Sequence, residues 1–270
     1  MDRARGVLRR VRLPGVDGGT GREPQPARIS TSGRHPHDAA LRSERPVLVK
    51  SPARSTKVTT PLPVQRYPQH FTAAEQSDTA FPWPSGGPEV WGEKCCGLAC
   101  LRMILDHHGL PVPSQRHLLR EGLEQGAYTP KGWIHRGLVD VAGLHGLSGA
   151  AVPFSFPAQL QSIAEAGLPS IVSASFRFPE DGRKGGHLVV FRGEAVKDGQ
   201  RYAAFADPSR WGADHTELPA ERFWASWTGR AVVLWPQDRP AAWIADAVGP
   251  DLADLLGISP GSEALVGEAR

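Results

Sequence analysis

Residues 95–105, CCGLACLRMIL, decide the fold that this sequence predicts, because they combine a helix start with all three cysteines of the chain. Proline and glycine crowd the preceding stretch, PWPSGGPEVWG, and apolar residues at helical spacing follow from Leu98 to Leu105. The pattern predicts a loop that turns into an amphipathic helix, with Cys96 at the turn. Unpaired N–H groups and the helix dipole at such a start stabilise a thiolate, the nucleophilic form of cysteine.

The three cysteines have different positions in this pattern. Cys96 directly precedes Gly97 and the apolar face, and we interpret it as the candidate nucleophile. Cys100 lies one turn later, in register with the apolar side chains, which favours a small core residue. Cys95 is the last loop residue and is assigned no role. The alternative is that all three are buried structural cysteines.

The charges divide the chain into a basic leader and a mildly acidic remainder. Residues 1–57 contain 13 Lys+Arg against 5 Asp+Glu, whereas the remainder contains 18 against 23. Arg, Pro, Gly, Ser and Thr dominate the leader without hydrophobic periodicity, so we expect it to be disordered. No aromatic residues are interleaved to stack bases, and a nucleic-acid partner is therefore not expected.

The sequence also bears on the compartment. It contains no run of about 18 apolar residues and therefore predicts no membrane span. Three clustered cysteines, an odd number, do not fit the disulfide framework of a secreted protein. We therefore expect a cytoplasmic protein, whose oligomeric state the sequence leaves open.

Helical periods occupy the first half of the remaining chain and strand periods the second half. After the cysteine helix, Ser114 caps SQRHLLREGLEQG, and a turn-prone link, GAYTPKG, leads into a third helix in WIHRGLVDVAGLHG. Strands are predicted at LSGAAVPF, PSIVSASF, HLVVFRG, YAAFADP and RAVVLWP, with helices at FPAQLQSIAEAG and LPAERFWASW. This order predicts an α+β domain over residues 58–237, with N-terminal helices packed on a mainly antiparallel sheet. Residues 238–270 are expected to form an extension with short helices.

A thiolate nucleophile needs a base and a group that orients the base, and two strand ends supply candidates. His187 follows a Gly-Gly turn and opens the strand HLVVF, and Asp207 ends the next strand in FADPS. If these strands pair as a hairpin, the carboxylate approaches the imidazole and fixes its tautomer. Taken alone, His187 would be an ordinary strand-edge residue, and Asp207 with Pro208 would initiate a turn.

Taken together, the three motifs resemble the papain-like cysteine peptidases of the bacterial bacteriocin-processing, double-glycine leader peptidase family. KCCGLACLRMIL resembles the family motif D-C-G-x-A-C-L-x-M, GGHLVVF resembles G-H-φ-φ-φ, and AFADPS resembles φ-x-D-P, where φ is apolar. The resemblance covers about residues 89–236. It implies a papain-like fold with Cys96 as nucleophile, His187 as base and Asp207 as its orienter. It further implies a peptide or protein substrate and no cofactor or metal.

One position departs from the family pattern. The family places a glutamine, which donates a hydrogen bond to the oxyanion, six residues before the cysteine, whereas this chain has Val90 there. We expect Trp91, Lys94 or a glutamine from elsewhere to take this role beside the Cys96 backbone N–H. Loss of one such donor typically costs about 100- to 1000-fold in rate.

Three alternatives and one hypothesis about access remain open. A metal site would use Cys96, Cys100 and His107 from one helix, but no C-x-x-C pair or second cysteine cluster supplies further ligands. An acyltransferase or amide synthase would use the same residues and resolve the acyl-enzyme with an amine. A non-catalytic member would only bind a peptide.

The link RFPEDGRKGG, residues 177–186, is longer than a hairpin turn requires, and we predict that it is a flap over the cleft.

Overall fold

The computed structural model describes residues 60–79, 81–178 and 184–258 of the chain. The predicted basic leader, residues 1–57, and the end of the predicted extension, residues 259–270, therefore lie outside the described residues. Within them the protein has the α+β architecture that the sequence predicts. The helices are α1 (Ala73–Ser77), α2 (Gly87–Gly92), α3 (Cys96–His107), α4 (Gln115–Glu124), α5 (His135–Gly143), α6 (Pro157–Glu165), α7 (Ala220–Ala225), α8 (Ala241–Val248) and α9 (Pro250–Leu256).

Six strands form one antiparallel sheet in the order β3-β8-β4-β5-β6-β7, and two very short strands form a separate hairpin. The strands are β1 (Tyr128–Thr129), β2 (Gly132–Trp133), β3 (Leu147–Pro153), β4 (Ser170–Ser175), β5 (Gly186–Lys197), β6 (Gln200–Ala206), β7 (Glu217–Pro219) and β8 (Arg230–Pro236). Strands β5 and β6 pair directly across the turn that KDGQ predicts, with Lys197 opposite Gln200. The hairpin that was expected to bring His187 towards Asp207 is therefore present.

Each face of the sheet carries its own hydrophobic core. Along β5, Val189 and Phe191 belong to one core and Leu188 and Val190 to the other, because successive side chains of a strand point to opposite faces. The first core is completed by α6, α7, α8 and α9. The second is completed by α3, α4 and α5. The cysteine helix therefore packs on the sheet from the side of the N-terminal helices, as the α+β prediction requires.

Two segments differ from the sequence prediction. The link GAYTPKG forms the β1–β2 hairpin, in which Tyr128 pairs with Trp133, so the third helix begins at His135 instead of Trp133. The Trp133 indole also donates a hydrogen bond of 2.6 Å to the Lys94 carbonyl, and this tertiary contact holds the residue outside the helix. Strand β5 continues beyond the predicted HLVVFRG, through a register shift beside Gly193, whose φ is 114°.

The stretch before the cysteine helix forms an extended arm, residues 60–71, which we call the N-terminal arm. Its Leu62 N–H donates to the Arg192 carbonyl of β5 at 2.8 Å, and its Gln69 N–H donates to the Pro208 carbonyl at 2.9 Å. The arm therefore binds the sheet and the loop after β6. No helix of the described chain is long and apolar enough to cross a membrane.

Candidate active site

Cys96 is the first residue of α3, as the loop-to-helix pattern predicts. Its side chain is mostly buried, with 8% of its surface exposed. The next residue, Gly97, allows the helix start to approach the sheet closely. A Cβ atom there would lie 3.0 Å from Trp133 Cγ and 3.1 Å from a methyl carbon of Leu188. The Cys96 N–H belongs to the first turn of the helix, where backbone donors lack an intrahelical acceptor.

His187 lies at the start of β5 and pairs with Ala174 of β4. Its ring is buried, with 4% of its surface exposed, and its Nε2 lies 2.8 Å from Asp207 Oδ1. The Cys96 side chain lies close enough to the imidazole to affect its ionisation. Because Nε2 is bonded to Asp207, Nδ1 is the ring nitrogen left for Cys96. The three candidate residues therefore form a continuous chain of contacts, from Sγ through the imidazole to the carboxylate.

Burial and hydrogen bonding have opposite effects on the ionisation of His187. Burial lowers the pKa of the imidazole, because it disfavours the cation. The hydrogen bonds to Asp207 and Cys96, together with their negative charges, outweigh burial and raise the pKa of His187 to about 9. The ring therefore holds its proton at neutral pH.

Asp207 follows the last residue of β6 and is fully buried. Its Oδ1 accepts hydrogen bonds from His187 and, at 2.7 Å, from the Ser209 N–H. Burial alone would raise the pKa of the Asp207 carboxyl, but the hydrogen bonds and the charge of His187 lower it. Oδ2 is buried and has no hydrogen-bond partner in the part of the chain that the structure describes. The carboxylate is thus ionised and fixed by one of its two oxygens.

Residues 92–239 match the model of the Peptidase C39 family, which is more than half of the chain. The chain belongs to the peptidase C39 family. Its members are cysteine peptidases, and the predicted resemblance to the double-glycine leader peptidases and the predicted papain-like fold are confirmed.

Solved structures similar to this C39 peptidase include three proteins of low identity. The peptidase domain of Streptococcus ComA, a bifunctional ABC transporter, is 23% identical, with a TM-score of 0.41 over 53% of this chain and 93% of that one. A double glycine motif protease from an AMS/PCAT transporter is 20% identical, with a TM-score of 0.40 over 65% and 94%. A C39-like peptidase from Bacillus anthracis is 16% identical, with a TM-score of 0.40 over 54% and 90%. No curated protein matches the chain.

The loop after Asp207 is held by residues that the sequence analysis of this C39 peptidase did not identify. Arg66 of the N-terminal arm donates hydrogen bonds to the carbonyls of Asp207, at 2.7 Å, and of Pro208 and Ser209. Gly212 packs directly under the aspartate, since a Cβ atom there would lie 2.2 Å from the Asp207 carbonyl oxygen. An arginine among prolines and a glycine in a loop have no periodic signal, so only the tertiary structure reveals these roles.

Phe176 lies against the exposed side of the His187 ring. The two rings meet edge to face, with centroids 5.2 Å apart, and Phe176 is 40% exposed. The next two residues, Arg177 and Phe178, have φ values of 59° and 44°, in the left-handed region that bulky residues rarely adopt. Phe178 is fully buried and holds this turn in the core. Residues 179–183 of the predicted flap lie outside the described residues, so the flap remains a hypothesis.

The other two cysteines of this C39 peptidase are completely buried. Cys95 precedes α3 and is completely buried, and burial raises the pKa of its thiol. Cys100 is also completely buried, and its Sγ lies 3.3 Å from the Leu188 carbonyl oxygen. Burial again raises the pKa of this thiol. Of the three cysteines, Cys96 is the one that affects the ionisation of His187.

The residues of the alternative metal site are committed to other contacts. Cys100 contacts the Leu188 carbonyl, and both ring nitrogens of His107 lie 3.1 Å from backbone carbonyl oxygens, of Pro63 and Gly167. Among the residues that the structure describes, no group of three or more His, Cys, Asp or Glu side chains is arranged to hold a metal ion. Cys96, Cys100 and His107 are therefore not brought together as ligands.

Val90, at the position of the family's glutamine, lies on α2 with 42% of its surface exposed. Two of the residues expected to replace that glutamine as oxyanion donor make other contacts. The Trp91 indole donates to the Ser85 carbonyl at 3.2 Å, and the Lys94 ammonium lies 5.0 Å from the Trp91 ring centroid.

Two buried glutamines lie near the start of α3. Gln115 Nε2 donates to the carbonyls of both Gln69 and Cys95, at 3.0 and 3.3 Å, and thereby ties the N-terminal arm to the helix start. The Gln69 side chain is 1% exposed, and its Oε1 has no partner within the described residues. Gln69 is therefore the glutamine near the Cys95 carbonyl whose side chain has no assigned hydrogen bond.

Proposed function

We propose that this C39 peptidase cleaves a peptide bond through a thioester acyl-enzyme, with Cys96 as nucleophile, His187 as base and Asp207 as its orienter. The single observation that carries the proposal is the chain of contacts from the Cys96 thiol through the His187 ring to the buried Asp207 carboxylate. A nucleophile, a base and an orienting group in hydrogen-bond contact are the arrangement that acyl transfer requires.

The first half of the reaction forms the thioester. In the reactive form His187 already holds the proton that Cys96 has given up, and the Cys96 thiolate attacks the carbonyl carbon of the scissile bond. As the C–N bond breaks, the imidazolium gives its proton to the leaving amine. Asp207 favours this sequence because its charge stabilises the imidazolium and its hydrogen bond fixes the ring.

The second half of the reaction returns the free enzyme. Neutral His187 takes a proton from water, and the hydroxide attacks the thioester carbonyl. The C–S bond then breaks, the product leaves as a carboxylic acid, and Cys96 is again a thiolate beside the His187 imidazolium. In both halves the carbonyl oxygen becomes negative, and the Cys96 N–H at the helix start is placed to donate to it. We assign the second donor to the Gln69 amide, since Val90 has no N–H in its side chain and Gln115 Nε2 is already bonded.

The substrate class is proposed from the family to which the chain belongs. The AMS/PCAT relative is described as a double glycine motif protease in complex with a leader peptide. We propose peptides with Gly-Gly before the scissile bond as substrates of this chain.

The experiment compares Cys96→Ala with Cys95→Ala on a Gly-Gly peptide, with cleavage followed by mass spectrometry. We expect Cys96→Ala to abolish turnover and Cys95→Ala to keep most of it, since Cys95 contacts no catalytic group. A dead Cys95→Ala enzyme, folded by circular dichroism, would mean that the nucleophile is wrongly assigned.

The same spectra identify the reaction class. Hydrolysis gives a product with a free carboxylate, whereas an acyltransferase gives an amide when a primary amine is added. We expect the carboxylate as the main product, and an amide as the main product would move the assignment to the acyltransferase alternative.

A further inference from the structure

A cavity of about 480 Å³ lies between the β1–β2 hairpin and the ends of β3 and β8. Its walls include Trp133 and Ile134 from the hairpin side and Val152 and Arg230 from the sheet. Ile134 is 42% exposed, so an apolar surface is open to solvent there. The site described above uses none of these residues except Trp133, which flanks Gly97.

The cavity lies at the same end of the sheet as His187. Strand β3 ends at Pro153 opposite Arg230, and β4 ends near Ala174 opposite His187, so both pairs lie at the same end. Strands β8 and β4 separate β3 from β5, which puts the cavity about 14 Å from His187 at the usual spacing between strands. Trp133 belongs to both regions, since it lines the cavity and contacts Gly97. An extended peptide held at Cys96 reaches the cavity with about four residues.

The charged residues of the cavity walls are cationic. Lys131, Arg136 and Arg230 line it, and no carboxylate of the described residues does. Arg136 is paired at 2.9 Å with Asp140 one helical turn away, which leaves Lys131 and Arg230 as the cations facing the cavity without an ion pair among the described salt bridges. His135 also lines it, and burial together with the charge of Arg230 lowers the pKa of that ring. Apolar walls with two open cations suit a side chain with a short apolar stem and a negative head.

We propose that this cavity, lined by Lys131, Ile134, Val152 and Arg230, binds a glutamate or aspartate side chain of the substrate, about four residues from the scissile bond. The proposal rests on the proposed peptidase function and adds to it a preference for acidic substrate segments. The occupant is a peptide segment, because the cavity shares Trp133 with the surroundings of Gly97 and lies within reach of a chain held at Cys96.

The test measures binding separately from cleavage. Cys96→Ala protein is titrated into fluorescein-labelled Gly-Gly peptides that carry either glutamate or glutamine at the fourth residue upstream of the scissile bond or at the fourth residue downstream of it. We expect the glutamate peptide of one position to bind about tenfold more tightly, and the preference to shrink with added NaCl. In Cys96→Ala protein that also carries Lys131→Glu and Arg230→Glu, the preference disappears or reverses.

Arg239→Glu is the matched control. It makes the same charge change beyond the opposite end of β8, where the Arg239 guanidinium lies over the Trp243 ring, and it should leave the preference intact. In proteins that keep Cys96, iodoacetamide labelling of that residue shows that the doubly reversed variant still has a folded site.

The outcomes separate this proposal from the peptidase assignment. If the parent enzyme cleaves Gly-Gly peptides but glutamate and glutamine bind equally at both positions, the acidic subsite is wrong and the peptidase assignment stands. If Lys131→Glu and Arg230→Glu remove the glutamate preference but the parent enzyme cleaves no peptide, the binding site stands and the catalytic proposal fails. If a single-stranded oligonucleotide binds with loss on both reversals while glutamate confers nothing, the cavity serves nucleic acid and the proposal is overturned.

Discussion

The two ends of the candidate site differ in how well the sequence predicts them. We call Cys96 and its neighbours Cys95 and Gly97 the nucleophile end, a helix start that the local sequence predicts. The base end, His187 with Asp207, is held by Arg66, which lies 141 residues before Asp207, and by the close packing of Gly212. The base end should therefore fail through residues that touch no substrate.

The largest effect on the base end is expected from Asp207→Asn. The amide keeps the shape of the side chain but not the charge that stabilises the imidazolium, so we expect kcat/KM to fall by about 100-fold or more. Activity that requires protonated His187 is lost as pH rises through its pKa of about 9. In a plot of kcat/KM against pH, the alkaline loss of activity should therefore occur at lower pH in Asp207→Asn than in the parent enzyme. Asp251→Asn, on the exposed side of α9, is the control and should change neither quantity.

The same pair of residues makes folding stability depend on pH. The pKa of His187 is raised above its usual 6.5, so its contribution is complete below pH 6.5 and is lost as pH rises through about 9. The pKa of Asp207 is lowered from 3.8, so its contribution is present above that pH and is lost as pH falls below it. If the free energy of unfolding falls at alkaline pH as steeply in Asp207→Asn as in the parent protein, this pair is not the source of the pH dependence.

Gly212→Ala should have the next largest effect. The new Cβ would lie 2.2 Å from the Asp207 carbonyl oxygen, so the aspartate has to move. Overpacking of this kind costs about 1–3 kcal/mol in the free energy of unfolding, and a small misplacement of a catalytic group costs up to about 100-fold in rate. Gly143→Ala is the matched control, because its Cβ would have only Gln237 nearby, at 4.0 Å. Equal kinetics for the two variants would mean that the packing under Asp207 does not position it.

Arg66→Ala should have the smallest effect of the three. It removes hydrogen bonds to three carbonyls of the loop after β6, and we expect about 1 kcal/mol, or about fivefold in kcat/KM. Because Arg66 acts through Asp207, the loss should appear in kcat and in the pH of the alkaline loss of activity, with little change in KM. Arg120→Ala removes an exposed arginine from α4 and serves as the control. A change in KM alone would instead place Arg66 in substrate binding.

The same contrast explains what the sequence predicts and what it does not. The start of α3 at Cys96 follows from a local change from prolines and glycines to helical periodicity, and the β5–β6 hairpin follows from KDGQ between two apolar runs. Arg66 and Gly212 carry no such signal, because their partner Asp207 lies far from Arg66 in sequence and the role of Gly212 is the absence of a side chain. The β1–β2 hairpin has strands of only two residues, too short to show an alternating pattern.

The central claim, that Cys96 is the reactive thiol and is activated by His187, is tested most directly by alkylation of the intact protein with iodoacetamide at pH 6, followed by peptide mapping. Cys95 and Cys100 are completely buried with raised pKa values, whereas Cys96 has 8% of its surface exposed and lies beside His187. We therefore predict that Cys96 is modified first and nearly alone, and that His187→Ala slows its modification. Equal, slow labelling of all three cysteines, or Cys95 labelled first, would contradict the account.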